Sequence, residues 1–557
     1  MGIKRIILIA GLIMSTLVYG WFIRTIFVKT YPFNGLAEDG KKQILYSENA
    51  FYYSFYERLA KTTNWVEEVN RLKSDNSVQY PEKINVFSKY NIGPEILGAM
   101  LFRISQGWVG VDAFDFYTGY VISIAALGAG VLYLLAYEVT GSIVGGIMAV
   151  LFVLFSYPWS TRLVSGPALR ENFGIPTLLF QVYLMIIFIK VRSKKYWWLL
   201  VVATILHILF WQFSTYTLLT EIVVLSVVSI MENDKKKICN VLVLIITMVL
   251  LKIFMGGVGG NSHVLEYFRF QLFKTVPNFH VMMYHCNGGF EMINRTILKP
   301  LFNNLLLVMV GLGWLGVFFI KGNESTKYRL IAILGLGYLA LCIIASRFVV
   351  LAIPFLAVVA VMVFSEKYWW DNILGKKNRK IRLAVSGGIL LLIIVNWLTD
   401  GNNELLKSIR RQGNNPYVPM IEPYKWIMEN TDSNSVFGAS MPLTSKILLL
   451  TGRKIANNPF YEDVNSRQKT LEIYRMYGRE SEGGMYEIAL KNGLNYLVIE
   501  RQRCFERSNN GCLAEDLYVT EDKGKTDPLL CRVLGDEKSG YFEKVFENRD
   551  YRIFKVL

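Results

Sequence analysis

The sequence predicts a polytopic α-helical membrane protein of about eleven to thirteen spanning helices with a small α/β domain at the C-terminus. Three observations predict it. The 557-residue chain is 53% hydrophobic with a mean hydropathy of +0.32, too apolar for a soluble protein of ordinary charge. Its apolar residues gather into runs long enough to cross a hydrocarbon core of about 30 Å. Its lysines and arginines cluster in alternate gaps between those runs, as the positive-inside rule requires. The net charge of +16 is therefore assigned to cytosolic loops, and nucleic acid is excluded as a partner.

The first run, Ile6 to Ile23 behind Lys4 and Arg5, has a signal-peptide layout without a small-residue cleavage site and reads as a retained anchor. It defines a first segment, 1–23. A polar loop with amphipathic helices follows over 24–112, including a candidate at 92–108. A multi-span region over 113–398 holds runs at 113–139, 142–159, 172–191, 197–211, 213–231, 238–257, 300–320, 328–345, 348–365 and 381–398. With the N-terminus in the cytosol, alternation places the clusters Lys190–Lys195, Lys235–Lys237, Lys321–Arg329 and Lys376–Arg382 on the cytosolic side. The loop 24–112 and the segment 399–557 then share the luminal side. The sequon Asn294-Arg295-Thr296 is luminal, and Asn323-Glu324-Ser325 is cytosolic.

At about Asp400 the chain turns polar. A helical pattern over 465–478 and strand-like runs at Tyr496–Ile499 and Tyr551–Val556 predict the α/β domain. Cys286, Cys504, Cys512 and Cys531 suit disulfides in an oxidising lumen, with the pairing open; Cys239 and Cys342 read as packing residues. No cysteine or histidine spacing resembles a metal site.

Candidate chemistry concentrates at the luminal edge. Glu48 precedes the aromatic cluster Phe51-Tyr52-Tyr53-Ser54-Phe55-Tyr56, either as a catalytic base at a cavity mouth or as the end of an interfacial helix with an aromatic belt. Arg170 precedes a helix N-terminus, where a guanidinium and free backbone amides make an anion site; an Arg170–Glu171 pair capping the helix is the plainer alternative. Arg347 stands at another luminal edge, as a second phosphate contact or a snorkelling anchor. His263, His280 and His285 share the loop 258–299, where hydrogen bonding is favoured over metal. Glu221 lies within a span and either functions there or bonds a neighbouring helix. Trp369-Trp370-Asp371 falls in a basic cytosolic loop and reads as an interfacial anchor.

A set of motifs runs in order along the chain: Glu48 through Phe55, Gln79-Tyr80-Pro81-Glu82-Lys83-Ile84-Asn85, Gly93-Pro94-Glu95, Leu169-Arg170-Glu171, Phe210-Trp211-Gln212-Phe213, Asn278-Phe279-His280, Asn458-Pro459-Phe460-Tyr461-Glu462-Asp463, Tyr474-Arg475-Met476-Tyr477, Cys504 and Gly511-Cys512. In this order they resemble the Dumpy-type protein tryptophan C-mannosyltransferases. The resemblance implies a GT-C-type glycosyltransferase fold in the endoplasmic reticulum membrane. It implies dolichyl phosphate mannose as donor substrate, with no separate cofactor. The acceptor is a tryptophan, modified at indole C2, in Trp-x-x-Trp sequences of secretory and membrane proteins. It makes Glu48 the catalytic carboxylate and sets Arg170, with Arg347 and His280 behind it, at the donor phosphate. Tyr52, Trp211 and Gln212 fall to the acceptor side. A phosphodiester carries one charge that side chains can neutralise, so no metal is expected. The competing readings are another GT-C mannosyl or oligosaccharyl transferase, a non-catalytic trafficking scaffold, and a transporter, for which no matching pair of broken spans is evident.

Overall fold

A computed structural model describes residues 3–30, 41–106, 110–156, 169–231, 235–254, 262–286, 304–317, 325–365, 421–507, 511–534 and 539–557, with a few isolated positions between them. Both sequons' asparagines and Trp369–Asp371 lie outside the described residues, as does most of the 381–398 run. The chain forms two compact units. The first comprises Met1–Asn34, Thr118–Gly256 and Met292–Asn415; the second comprises Gly35–Tyr117, Gly257–Glu291 and Pro416–Leu557.

The first unit is a helical bundle. Among the described residues of the chain, six helices are long and apolar enough to cross a membrane: Ile6–Ile23 within Ile3–Thr30, Ala113–Thr140, Glu171–Val191, Ser214–Met231, Ser325–Ile344 and Ser346–Phe364. Lys194–Phe210, Lys235–Phe254, Ile143–Leu154 and Asn304–Val317 are further helices at predicted runs. Helices are what an apolar solvent allows, because each satisfies its own backbone hydrogen bonds. Close packing sets some residue choices. A Cβ on Gly128 would lie 2.8 Å from the Pro176 ring, so only glycine lets the Ala113–Thr140 and Glu171–Val191 helices meet there. Polar side chains inside the bundle bond across helices. Gln181 Nε2 donates to Glu221 Oε2 at 3.1 Å, and His207 reaches Thr177 Oγ1 at 3.0 Å and Thr217 Oγ1 at 2.8 Å. Glu221 thus makes the helix-to-helix contact foreseen as its structural role. Cys342 is buried, as expected of a packing residue; Cys239 is exposed on its helix.

The second unit carries a five-stranded sheet, ordered β2-β1-β3-β5-β4, in which β1 (Val436–Ala439), β2 (Lys454–Ile455) and β3 (Tyr496–Glu500) are parallel. The strand β5 (Tyr551–Val556) pairs antiparallel with β3, and β4 (Phe542–Glu547) pairs antiparallel with β5. From the predicted loops 24–112 and 258–299, Gly35–Tyr117 and Gly257–Glu291 fold with this domain. Tyr80 N–H donates to Ile455 O at 2.9 Å and Ile455 N–H to Ser77 O at 2.8 Å, extending the sheet edge. Asn458 Nδ2 then reaches Val78 O at 3.0 Å, Gln79 Oε1 at 3.3 Å and Tyr90 Oη at 3.2 Å. Ser466 Oγ and Lys89 Nζ also donate to Gln79 Oε1, at 2.8 and 3.0 Å. Two motifs far apart in sequence are therefore the two sides of one buried polar network, where each member is costly to leave unpaired.

Disulfides Cys286–Cys512 and Cys504–Cys531 tie this unit, the first across 226 residues. Closing a loop of that length restrains the unfolded chain strongly. Peptide mapping without reductant should recover these two linkages, and a Cys504–Cys512 peptide would refute the pairing. Cys286→Ser should lower stability by roughly 2–5 kcal/mol, read as a drop in the thermal midpoint of the purified chain.

Candidate active site

In the bundle unit, Arg170 occupies the N-cap of the Glu171–Val191 helix and is buried. Its carbonyl accepts from the amides of Phe173 and Gly174 at 3.1 and 3.0 Å, so the guanidinium is carried by the first turn. A helix start leaves backbone donors unspent and favours negative charge beside it. The neighbouring Glu171 is engaged across the bundle: Glu171 Oε1 accepts from Nε and Nη2 of Arg347, both at 3.0 Å. Arg347 sits in the short turn Ser346–Phe348 that opens the next spanning helix, so this ion pair joins two helix starts. Asn172 is wholly buried beside them, and neither polar atom of its amide has a partner among the described residues. Nothing in its sequence context had marked it.

Trp211 and Gln212 form the turn between the helices Lys194–Phe210 and Ser214–Met231. The Trp211 ring lies so close to the Glu171–Val191 helix that a Cβ on Gly174 would stand 2.0 Å from it. Phe213, next in the turn, packs against Phe348 beside Arg347 with ring centroids 5.3 Å apart. The structure therefore gathers four sequence-predicted residues, Arg170, Arg347, Trp211 and Gln212, at one end of the bundle. It adds Lys252, whose ammonium bonds the same turn; a single lysine inside an apolar run was the only signal of it.

Glu48, Tyr52 and His280 belong to the second unit. Glu48 is the first residue of the Glu48–Lys61 helix and is half-buried, where the helix dipole favours a carboxylate. Ser47 before it has φ 51°, a left-handed conformation that a non-glycine residue adopts at a cost and that clusters at functional sites. The aromatic side chains that follow are not an interfacial belt. Phe51, Tyr52, Tyr53, Phe55 and Tyr56 are all buried, because the helix is enclosed by the helices Gly93–Ser105 and Met441–Thr451. Phe51 and Phe55 pack on Tyr90, and Tyr53 and Tyr56 on Tyr117, whose hydroxyl donates to the buried Glu95 at 3.1 Å. A carboxylate is thus set at the tip of a rigid element.

His280 stands in the short helix Phe279–His285, capped by Asn278, whose Oδ1 accepts from Val281 N at 3.0 Å. Phe279 is buried against Tyr518 and Tyr474. His280 Nδ1 lies 2.7 Å from Tyr461 Oη, so two more of the predicted motifs meet. Burial, and then the nearby Arg467 charge, pushes the His280 imidazole down to about 4. The ring is neutral near neutral pH and offers hydrogen bonds rather than charge. Among the described residues there is no cluster of three or more histidine, cysteine or carboxylate groups placed to hold a metal ion.

The depressed His280 value predicts a pH dependence. The folded state holds the ring neutral, so between about 6.5 and about 4 the unfolded chain binds more protons. Its stabilising contribution is complete above the upper value and is lost as pH falls through the window. Thermal midpoints of wild type and His280→Asn should therefore converge as pH is lowered toward 4. A constant difference across the window would refute it.

In sequence, the chain is 22% identical to "C-mannosyltransferase dpy-19" of Caenorhabditis briggsae, over 99% of this chain and 95% of that protein. It is 23% identical to human "Protein C-mannosyl-transferase DPY19L1", over 96% and 94%. In structure, it resembles the Archaeoglobus fulgidus oligosaccharyltransferase tethered with an acceptor peptide, at a TM-score of 0.59 and 13% identity, covering 88% of this chain and 69% of that one. The same enzyme in complex with an inhibitory peptide and a dolichol-phosphate gives 0.58, with 13% identity and the same coverage. The fold is therefore of the GT-C type expected from the motifs. A family profile described as "Dpy19: Q-cell neuroblast polarisation" matches residues 13–256 and 321–556. The chain belongs to the Dpy19 family.

Proposed function

We propose that this chain is a protein C-mannosyltransferase that moves mannose from dolichyl phosphate mannose to C2 of a tryptophan indole in Trp-x-x-Trp sequences. The observation that carries the reading is the charge each unit holds at a helix start: Arg170 opening a spanning helix and Glu48 opening a buried aromatic one. The names of the relatives support the activity, and their similarity extends over nearly the whole chain.

The reaction needs both charges. Indole C2 is a weak nucleophile, so the sugar must develop oxocarbenium character before carbon attacks. The bond from the anomeric carbon to the phosphate oxygen breaks as the carbon–carbon bond forms, and dolichyl phosphate departs. Arg170, at the amino end of its helix, stabilises the charge developing on that phosphate. Arg347 adds a second guanidinium, oriented by Glu171. After attack the ring is a cation. Glu48 stabilises it and takes the C2 proton, restoring aromaticity. Tyr52 and the Trp211–Gln212 turn are assigned to the acceptor, and His280, being neutral, to hydrogen bonding at the donor phosphate. This chemistry calls for no metal. The two disulfides suit an oxidising compartment. They support placing the chain in the endoplasmic reticulum membrane, N-terminus cytosolic and C-terminal domain luminal.

Mass spectrometry of a Trp-x-x-Trp peptide incubated with purified protein and dolichyl phosphate mannose tests the reading. A hexose on tryptophan that survives fragmentation without loss of the whole sugar is expected. Glu48→Gln should reduce turnover by on the order of 100- to 10,000-fold with donor binding retained, the range for removing a general base. Full activity in that variant would remove Glu48 from the mechanism; no transfer by wild type with donor bound would remove the function.

A further inference from the structure

Lys252 lies near the end of the Lys235–Phe254 helix, deep enough to be only 6% exposed. Its ammonium donates to the carbonyl of Gln212 at 3.0 Å and to Ser214 Oγ at 2.6 Å. Those atoms close the turn between two spanning helices, where carbonyls have left one helix and have no partner in the next. One hydroxyl or amide would satisfy them at far lower cost than a buried ammonium. No ion pair to Lys252 occurs among the described residues, so its charge is not spent on a carboxylate contact.

What the turn touches explains the choice. Trp211, its first residue, lies against Gly174, one turn into the helix that begins at Arg170. Phe213 lies against Phe348, the neighbour of Arg347. The turn is the element that both arginine-bearing segments rest on. We propose that Lys252 is a positioning residue for the donor site: by fixing the Trp211–Ser214 turn it sets, through Trp211 and Phe213, where Arg170 and Arg347 meet the lipid phosphate. This rests on the donor reading above. It also leaves a positive charge at the end of the bundle where an anionic donor would bind, which a neutral hydrogen-bonding residue would not do.

The test uses the purified full-length chain with Lys252→Met, which keeps length and loses charge and donors, and Lys252→Arg, which keeps both. Equilibrium binding of short-chain dolichyl phosphate mannose and steady-state transfer are measured beside thermal midpoints. Lys252→Met is expected to raise the donor Kd and donor KM on the order of 10- to 100-fold, the usual effect of a displaced binding group. The thermal midpoint should stay near wild type, the donor Kd should change more than the acceptor-peptide KM, and Lys252→Arg should recover most of the loss. Wild-type donor binding in Lys252→Met would overturn the proposal. So would losses that follow the thermal midpoint in both variants, since those mark a structural role alone. Should Lys252→Met fail to fold, Ser214→Ala removes one of the two bonds and should weaken donor binding by a smaller factor at unchanged midpoint; no weakening would overturn the proposal. If wild type binds the donor but never glycosylates tryptophan, the proposed function falls, and donor binding by the variants still decides the role of Lys252.

Discussion

Holding charge at the edge of a membrane-spanning bundle is the constraint on which the rest of the bundle site depends. A guanidinium or carboxylate near hydrocarbon is costly unless paired or turned toward water. The Glu171–Arg347 pair meets that cost by joining two helix starts, so the charge that makes the site useful also fixes the geometry of the helices bearing it. The first turn that Arg170 caps is shaped by the Trp211 ring against Gly174. Lys252 extends the same logic, because its ammonium is held by a backbone carbonyl and a hydroxyl.

The second unit solves a different problem. On the proposed function, Glu48 must be exposed enough to meet substrate yet fixed in place. Glu48 is carried by a helix whose following residues, Asn49 to Tyr56, are all buried, so packing makes that helix rigid. The packing in turn depends on distant segments. Tyr90, which receives Phe51 and Phe55, is held by the amide of Asn458, and Asn458 also bonds Gln79. A change at Asn458 would be felt at the helix that bears Glu48 without touching it.

Much of this was legible in the sequence. Span-length apolar runs are a strong signal because the bilayer enforces length and composition together, and the helices Glu171–Val191 and Ser325–Ile344 match their predicted runs within a few residues. Strands β3 and β5 were readable from β-branched and aromatic runs. Strands β1 and β2 were not: they are four and two residues long, too short for any periodicity. The Met441–Thr451 helix is buried along most of its length, its Thr444, Ser445 and Lys446 included, so it has no solvated face to reveal a helical repeat. At the site, Arg170 and Glu48 stood out as charges beside apolar or aromatic segments. The partner of Glu171 did not, because an ion pair spanning 176 positions leaves no local trace. The aromatic cluster after Glu48 was ambiguous for a related reason, since an interfacial belt and a buried core use the same residues.

The division of motifs between the units carries a chemical sense. Those in the bundle, Leu169-Arg170-Glu171 and Phe210-Trp211-Gln212-Phe213, lie at helix ends, where the proposed function would present a lipid-linked phosphate. Those of the second unit pair with one another: Gln79 with Asn458, His280 with Tyr461, Cys286 with Cys512. A sugar phosphate on a lipid must be met at the bilayer edge, whereas a tryptophan in a polypeptide arrives from water. On the proposed function, the cationic groups belong to the bundle and the base to the second unit. Neither class of residue can move to the other unit without losing what holds it: Arg170 depends on a helix start, Arg347 on the Glu171 carboxylate, and Glu48 on a helix enclosed by the core of the second unit.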